Sequence, residues 1–126
     1  MVRGVGTDII EINRLRRSAT RFSGRFLKRI FTPGELAYCS QQRDPFPCYA
    51  VRFAAKEAVL KAMGTGLAQG CNWQDVEVVA QSGKAPEISL HGKVAAIARE
   101  KGICKALISL SHDQTRAVAF ALVLGG

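Results

Sequence analysis

A helix that is apolar almost all the way round has to be covered on every side, so it fixes the architecture around it. Tyr49 to Met63, YAVRFAAKEAVLKAM, has that character, and Gly64-Thr65-Gly66 ends it. The spacing predicts one long, central, buried helix. With 126 residues in all, the chain suits a single domain spanning 1–126, large enough to bury a core without staples.

The segments on either side read as covering layers. Val2 to Ile10 is rich in Val, Ile and Gly and reads as a strand. Helical spacing follows from Glu11 to Arg21, with Ile12, Leu15 and Ala19 on one face and Arg14, Arg17 and Arg21 as a basic stripe beside it. Phe22, Phe26 and Ile30 predict a further helical turn or two. Thr32-Pro33-Gly34-Glu35 has the form of a capping box with Pro at the first helical position, and that helix is expected to reach Gln42. Pro45 and Pro47 then interrupt the pattern.

After the long helix, Leu67 to Gln74 reads as loop, and Val76–Ala80 and Glu87–Leu90 as short strands joined by Gln81 to Pro86. Lys93 to Lys101 is a helix stopped by Gly102. Cys104 to Leu110 alternates, with Cys104, Ala106, Ile108 and Leu110 on one face, and Ser111 to Thr115 is a turn. Arg116 to Leu124 is a last strand, apolar on both faces. This order gives an α+β fold with a small antiparallel sheet packed around the long helix, not a doubly wound parallel sheet.

Net charge is +8, and residues 1–31 carry eight basic side chains against only Asp8 and Glu11. Such a field attracts nucleic acid, phosphorylated ligands or acidic proteins. A small basic nucleic-acid-binding domain is therefore the alternative class. Against it stand an aromatic content of 7% with a single Trp, and no interleaved basic-aromatic surface or standard reader motif. Cys39, Cys48, Cys71 and Cys104 have no CxxC spacing, and only His91 and His112 could join them, which argues against zinc. Cys48 and Cys104 lie in apolar stretches and read as buried free thiols. The longest apolar run, Ala117 to Leu124, is too short to span a bilayer. The expectation is a soluble, cytoplasmic, reduced protein with no membrane or nucleic-acid partner.

Two acids stand in apolar surroundings. Phe53, Glu57 and Lys61 are four apart and share one face of the long helix. Glu57 and Lys61 fit an ordinary helical ion pair, yet a buried pair is opposed by desolvation. Asp8 interrupts an apolar strand, where it either caps or pairs locally or holds a hard cation. One or two carboxylates with ligand phosphates is the usual way to hold Mg²⁺. Gly4-Val5-Gly6 lacks the third glycine of a dinucleotide fingerprint, and Gly64 to Gly70 is not followed by Lys-Ser or Lys-Thr as a P-loop would be.

Four fragments in order resemble the holo-[acyl-carrier-protein] synthases, small members of the 4′-phosphopantetheinyl transferase family. They are Gly6-Thr7-Asp8-Ile9-Ile10-Glu11-Ile12 with Arg14; Phe31-Thr32-Pro33 with Glu35-Leu36; Arg52-Phe53-Ala54-Ala55-Lys56-Glu57-Ala58 with Lys61-Ala62 and Gly64-Thr65-Gly66; and Ile108-Ser109-Leu110-Ser111-His112-Asp113. Together they span almost the whole chain. One departure is Ala85, which separates Gly83-Lys84 from Pro86 where the family usually has Gly-Lys-Pro, and it bears on the turn geometry there.

The resemblance implies transfer of 4′-phosphopantetheine from coenzyme A to a serine of apo acyl carrier protein, with adenosine 3′,5′-bisphosphate released. It implies that Asp8 and Glu57 hold Mg²⁺ and, with Lys61, form the catalytic set. Lys61, Gly64, Thr65, Gly66 and His112 would contact coenzyme A. Arg14, Arg17 and Arg21 would face the acidic carrier protein. Either a metal-held water or Glu57 would accept the serine proton. Arg52 and Lys56 read as structural ion-pair partners. The resemblance also implies a homotrimer with active sites at subunit boundaries. The residues themselves say only that both faces of the last strand need cover, from a neighbouring subunit or a second layer of the same chain.

Overall fold

In the computed structural model, residues 1–22, 24–67 and 70–126 are described; positions 68 and 69 of the expected loop lie outside them, as does position 23. Strand β1 (Val2–Glu11) leads into α1 (Ile12–Phe22), α2 (Gly24–Ile30) and α3 (Pro33–Ser40), and then into the long helix α4 (Phe46–Met63). A 3₁₀ turn at Trp73–Asp75 precedes the hairpin β2 (Val76–Gln81) and β3 (Lys84–Leu90). Helix α5 (Gly92–Glu100) and strands β4 (Ile103–His112) and β5 (Arg116–Gly125) complete the chain. The sheet β1-β5-β4 is antiparallel throughout, and β2-β3 forms a separate antiparallel pair. The α+β architecture expected from the sequence is present, divided between two small sheets. No helix among the described residues is long and apolar enough to cross a membrane.

Helix α4 lies on β1 and β5, with α1, α3 and β2 covering its other sides. Its closeness to β1 explains two glycines. A Cβ on Gly4 would collide with the Ala62 carbonyl oxygen, and one on Gly6 with the Ala58 carbonyl oxygen. Small residues continue across the contact: Ala54, Ala55 and Ala58 of α4 and Ala117, Ala119 and Ala121 of β5 are all fully buried. The other face of β5 is bare, with Val118 38% and Phe120 44% exposed beside exposed Val5, Ile9 and Leu107. The chain thus covers only one of the two apolar faces of its last strand.

The expected capping box forms, with Thr32 Oγ1 accepting from Glu35 N and Glu35 Oε1 from Thr32 N. Glu35 does more than cap. Its Oε1 also accepts from Lys56 Nζ at 2.8 Å and its Oε2 from Val78 N at 2.8 Å. The Lys56 ammonium, 0% exposed, donates further to the Trp73 and Val76 carbonyls. One buried ion pair therefore joins α3, α4, the 3₁₀ turn and β2. Burial pushes the Lys56 pKa down, with Glu35 opposing it.

Several boundaries depart from the sequence reading. Helix α4 begins at Phe46, since Pro47 sits in its first turn, where a missing N–H costs nothing. The β2-β3 turn is tighter than expected: Gln81 pairs with Lys84 around Ser82-Gly83, and Gly83 has φ +68°. A register shift lies between the Val79–Glu87 and Gln81–Lys84 pairs. The strand carrying the extra Ala85 spends one more residue there than its partner, as in a β-bulge. A second shift, between the Ile103 and Lys105 pairings, changes the phase of β4. Ile103 takes the inward position and Cys104 is exposed, contrary to its expected burial.

Cys48 also differs from expectation. It is not a free thiol but forms a disulfide with Cys39, with Cα atoms 5.5 Å apart. The chain reverses through Asp44-Pro45, bringing the end of α3 against the start of α4. A nine-residue separation carries no motif from which that approach could be read. The expectation of a fully reduced chain is corrected accordingly.

Candidate active site

Strand β1 and helix α4 deliver the two acids to one place. Asp8 and Glu57 line a cavity of about 340 Å³ together with Ile9, Ile10, Arg14, Leu15, Ser18, Phe26 and Phe53. Asp8 is on the α4-facing side of β1, in phase with Gly4 and Gly6, so the helix backbone runs close beside it. One turn beyond Glu57, Lys61 Nζ donates to Asp8 Oδ1 at 3.0 Å and to the Thr7 carbonyl at 3.1 Å. The ion pair is therefore between Lys61 and Asp8 and not within the helix.

Burial pushes the Glu57 pKa up. The nearby Asp8 charge pushes it in the same direction, and Lys61 opposes both. Two carboxylates, one of them close enough to disfavour the charge of Glu57, with one lysine beside them, form a site that a divalent cation would stabilise. The donors are hard oxygens from two carboxylates, which suits Mg²⁺ completed by ligand phosphates and water better than a soft metal. No cluster of three or more His, Cys, Asp or Glu exists among the described residues that could form a full protein cage. The residues fit a cation shared with a phosphate-bearing ligand.

The other expected site residues are distributed around this centre. Gly64 caps α4 in the left-handed conformation (φ +74°), and Gly66 also has positive φ (+63°). Thr65 N closes the cap on the Leu60 carbonyl, and Lys101 Nζ donates to the Met63 carbonyl at 2.7 Å. These residues follow Lys61 by one turn but do not line the Asp8–Glu57 cavity. His112, at the end of β4, borders two other depressions, one with Tyr38 and Arg52 and one with Ser111 and Arg116. Within one chain it is not brought to Asp8 and Glu57.

Of the basic stripe, Arg14 reaches the carboxylate cavity, whereas Arg21 lines an adjoining hollow of about 680 Å³ with Phe22, Arg25, Phe26 and Arg29. Arg17 is exposed and belongs to neither. Lys56 proves to be an ion-pair partner, as expected. Arg52 is buried over the Tyr38 ring instead, with no carboxylate partner among the described residues and its Nε unpaired. The sequence reading missed Ser18 and Phe26 as cavity walls, and Trp73, whose ring packs on Phe53 at 5.0 Å. Ser18 stands four residues after Arg14 and could have been placed by helical spacing. Phe26 and Trp73 arrive only through tertiary packing.

Comparison with known proteins gives one answer. A family model for the 4′-phosphopantetheinyl transferase superfamily matches residues 4–121. The holo-[acyl-carrier-protein] synthase of Desulforudis audaxviator is 46% identical over 99% of this chain and 95% of its own length. Among solved structures, the holo-[acyl-carrier-protein] synthase of Neisseria meningitidis superimposes with a TM-score of 0.90 at 32% identity, covering 98% of this chain and 99% of that one. The Helicobacter pylori holo-[acyl-carrier-protein] synthase in complex with coenzyme A gives 0.83 at 29% identity, over 95% and 99%. With its fold, its full length and its sequence all matched, the chain belongs to the 4′-phosphopantetheinyl transferase superfamily, alongside the holo-[acyl-carrier-protein] synthases.

Proposed function

We propose that this chain is a Mg²⁺-dependent holo-[acyl-carrier-protein] synthase of the cytoplasm, moving 4′-phosphopantetheine from coenzyme A to a serine of apo acyl carrier protein and releasing adenosine 3′,5′-bisphosphate. The observation that carries the reading is the convergence of Asp8 and Glu57 on one cavity, with Lys61 paired to Asp8. Asp8 and Glu57 would hold Mg²⁺, which supplies charge neutralisation at the coenzyme A diphosphate. Lys61, half-exposed and paired to Asp8, would turn from Asp8 to a diphosphate oxygen. Phe53 and Phe26 give the cavity apolar walls, which would limit water around the reacting phosphorus. Displacement at phosphorus is helped chiefly by positioning and charge stabilisation, and these side chains supply both.

Gly64, Thr65 and Gly66 would receive the nucleotide portion, since their backbone projects beyond Lys61 at the end of α4. Arg14 and Arg21, with Arg17 between them, would meet the acidic carrier protein along α1. The number three is what the family resemblance implies; the bare apolar face around Val118 and Phe120, which a neighbouring copy would cover, supports self-association. His112 would then reach the Asp8–Glu57 centre of a neighbouring copy. Mixing inactive Glu57→Ala and His112→Ala proteins should restore activity through complementing half-sites; an active monomer in light scattering at assay concentration contradicts the shared site. The function itself is tested by calorimetry of the protein with coenzyme A, with and without Mg²⁺. Binding strengthened by Mg²⁺ is expected. Tight binding of an oligonucleotide in its place would favour the nucleic-acid reading.

A further inference from the structure

We propose that the Cys39–Cys48 disulfide is a thiol-exchange site, opened by a dithiol reductant, whose state sets how firmly the loop between α3 and α4 anchors helix α1. The claim that this anchoring matters for turnover rests on the carrier-protein role proposed for α1. Both cysteines flank the loop. Inside the loop, Asp44 Oδ1 accepts from Phe46 N at 3.2 Å, and its carboxylate takes both terminal nitrogens of Arg16 on α1, at 3.1 and 2.9 Å. The Arg16 guanidinium also lies over the Phe46 ring. Helix α1 is thus tied to a loop whose two ends are joined by the disulfide, and opening the ring frees the chain that carries Asp44.

The two sulfurs are not equivalent. Cys39 is fully buried, whereas Cys48 is partly exposed and borders a solvent-open cavity of about 330 Å³ with Tyr38, Gln42, Asp44 and Arg52. Arg52 Nη1 donates to Cys48 Sγ at 3.2 Å. A guanidinium beside Cys48 stabilises its thiolate, which makes Cys48 the better leaving group when the mixed disulfide is resolved. The chemistry balances as ordinary exchange. One thiolate of the dithiol attacks Cys48 Sγ, forming a mixed disulfide and breaking the Cys39–Cys48 bond, and Cys39 leaves as a thiolate that takes a proton. The second thiolate of the reductant then attacks the reductant's own sulfur in the mixed disulfide. This expels Cys48 as a thiolate held by Arg52 and leaves the reductant as a cyclic disulfide. In a reducing compartment, disulfides that form are chiefly transient and redox-sensing, which matches an accessible sulfur with an adjacent cation better than a permanent staple.

The test uses the whole protein, prepared without reductant and then treated with dithiothreitol. Denatured, untreated protein should titrate two thiols, Cys71 and Cys104; treated protein should titrate four. Reduction should speed hydrogen exchange of α1 amides and raise the KM for carrier protein on the order of 5-fold, an ordinary size for coupling between sites. The KM for coenzyme A should hardly move. Cys39→Ser/Cys48→Ser protein should show the reduced-state values whether or not dithiothreitol is present. Four free thiols before treatment overturn the proposal. So does a drop in Tm on reduction with α1 exchange unchanged, which makes the disulfide a structural staple only. If α1 exchange rises but neither reduction nor charge reversal at Arg14 and Arg21 moves the carrier-protein KM, the carrier role of α1 fails while the switch stands.

Discussion

Lys56 and Glu35 are both completely buried and meet at 2.8 Å, so removing either charge leaves the other without its partner in the core. Breaking a buried pair from one side costs about 3–5 kcal/mol. For a chain of this size each kcal/mol moves Tm by about 4 °C, so Lys56→Met should melt roughly 12–20 °C below the parent. Glu35→Gln should cost a similar amount, because Lys56 keeps the Trp73 and Val76 carbonyls but loses its counter-charge. The double variant carries neither charge of this pair, and the new side-chain amide at position 35 still offers an oxygen to one of Thr32 N and Val78 N. Its loss should therefore fall short of the sum of the singles by about 2–3 kcal/mol. Urea unfolding followed by the fluorescence of Trp73, the one tryptophan of the chain, reports directly, since the Trp73 carbonyl is a Lys56 acceptor. Singles below about 1 kcal/mol, the range of exposed pairs, or strictly additive losses, would mean that the two charges are not coupled in the core.

Asp8→Ala and Glu57→Ala should each lower turnover on the order of 10²-fold or more at limiting Mg²⁺, as for loss of a transition-state electrostatic element; near-normal rates in either would remove that residue from the metal site. Reversing Arg14 and Arg21 to Glu should raise the KM for carrier protein and weaken its salt dependence. Because Arg14 also lines the carboxylate cavity, the Arg21→Glu single variant should leave coenzyme A affinity unchanged, and a loss there would assign the stripe to the nucleotide. Burial and Asp8 raise the folded-state pKa of Glu57, so its ionisation destabilises the metal-free fold. The cost is absent below the unfolded carboxyl pKa and grows as pH rises through the window up to the raised folded value. Glu57→Gln should therefore raise Tm at neutral pH in chelated protein, and the gain should vanish in acid.

What could be read in the sequence was what depends on local spacing. The Thr32–Glu35 box, the apolar circumference of α4 and its glycine terminator each follow from neighbours a few residues apart, and each is present. The convergence of Asp8 with Glu57 and Lys61 was legible because the strand and the helix both carry an acid where apolar residues are expected. Features that failed depend on distant partners. The phase of β4 turned on a bulge between Ile103 and Lys105, and alternation alone put Cys104 inside. The Cys39–Cys48 contact needed the reversal at Asp44-Pro45. Glu35 looked like a helix cap and is also the buried counter-ion of Lys56, a role that exists only once α3, α4 and β2 have met.

If Asp8, Glu57 and Lys61 support a Mg²⁺-dependent transfer from coenzyme A to a carrier protein, intact-mass analysis of apo acyl carrier protein incubated with this protein, coenzyme A and Mg²⁺ should reveal it. The expected result is a gain of one 4′-phosphopantetheine group, abolished by chelation and nearly abolished by Asp8→Ala. An unmodified carrier protein under all conditions, or equal modification with the metal chelated, would contradict it.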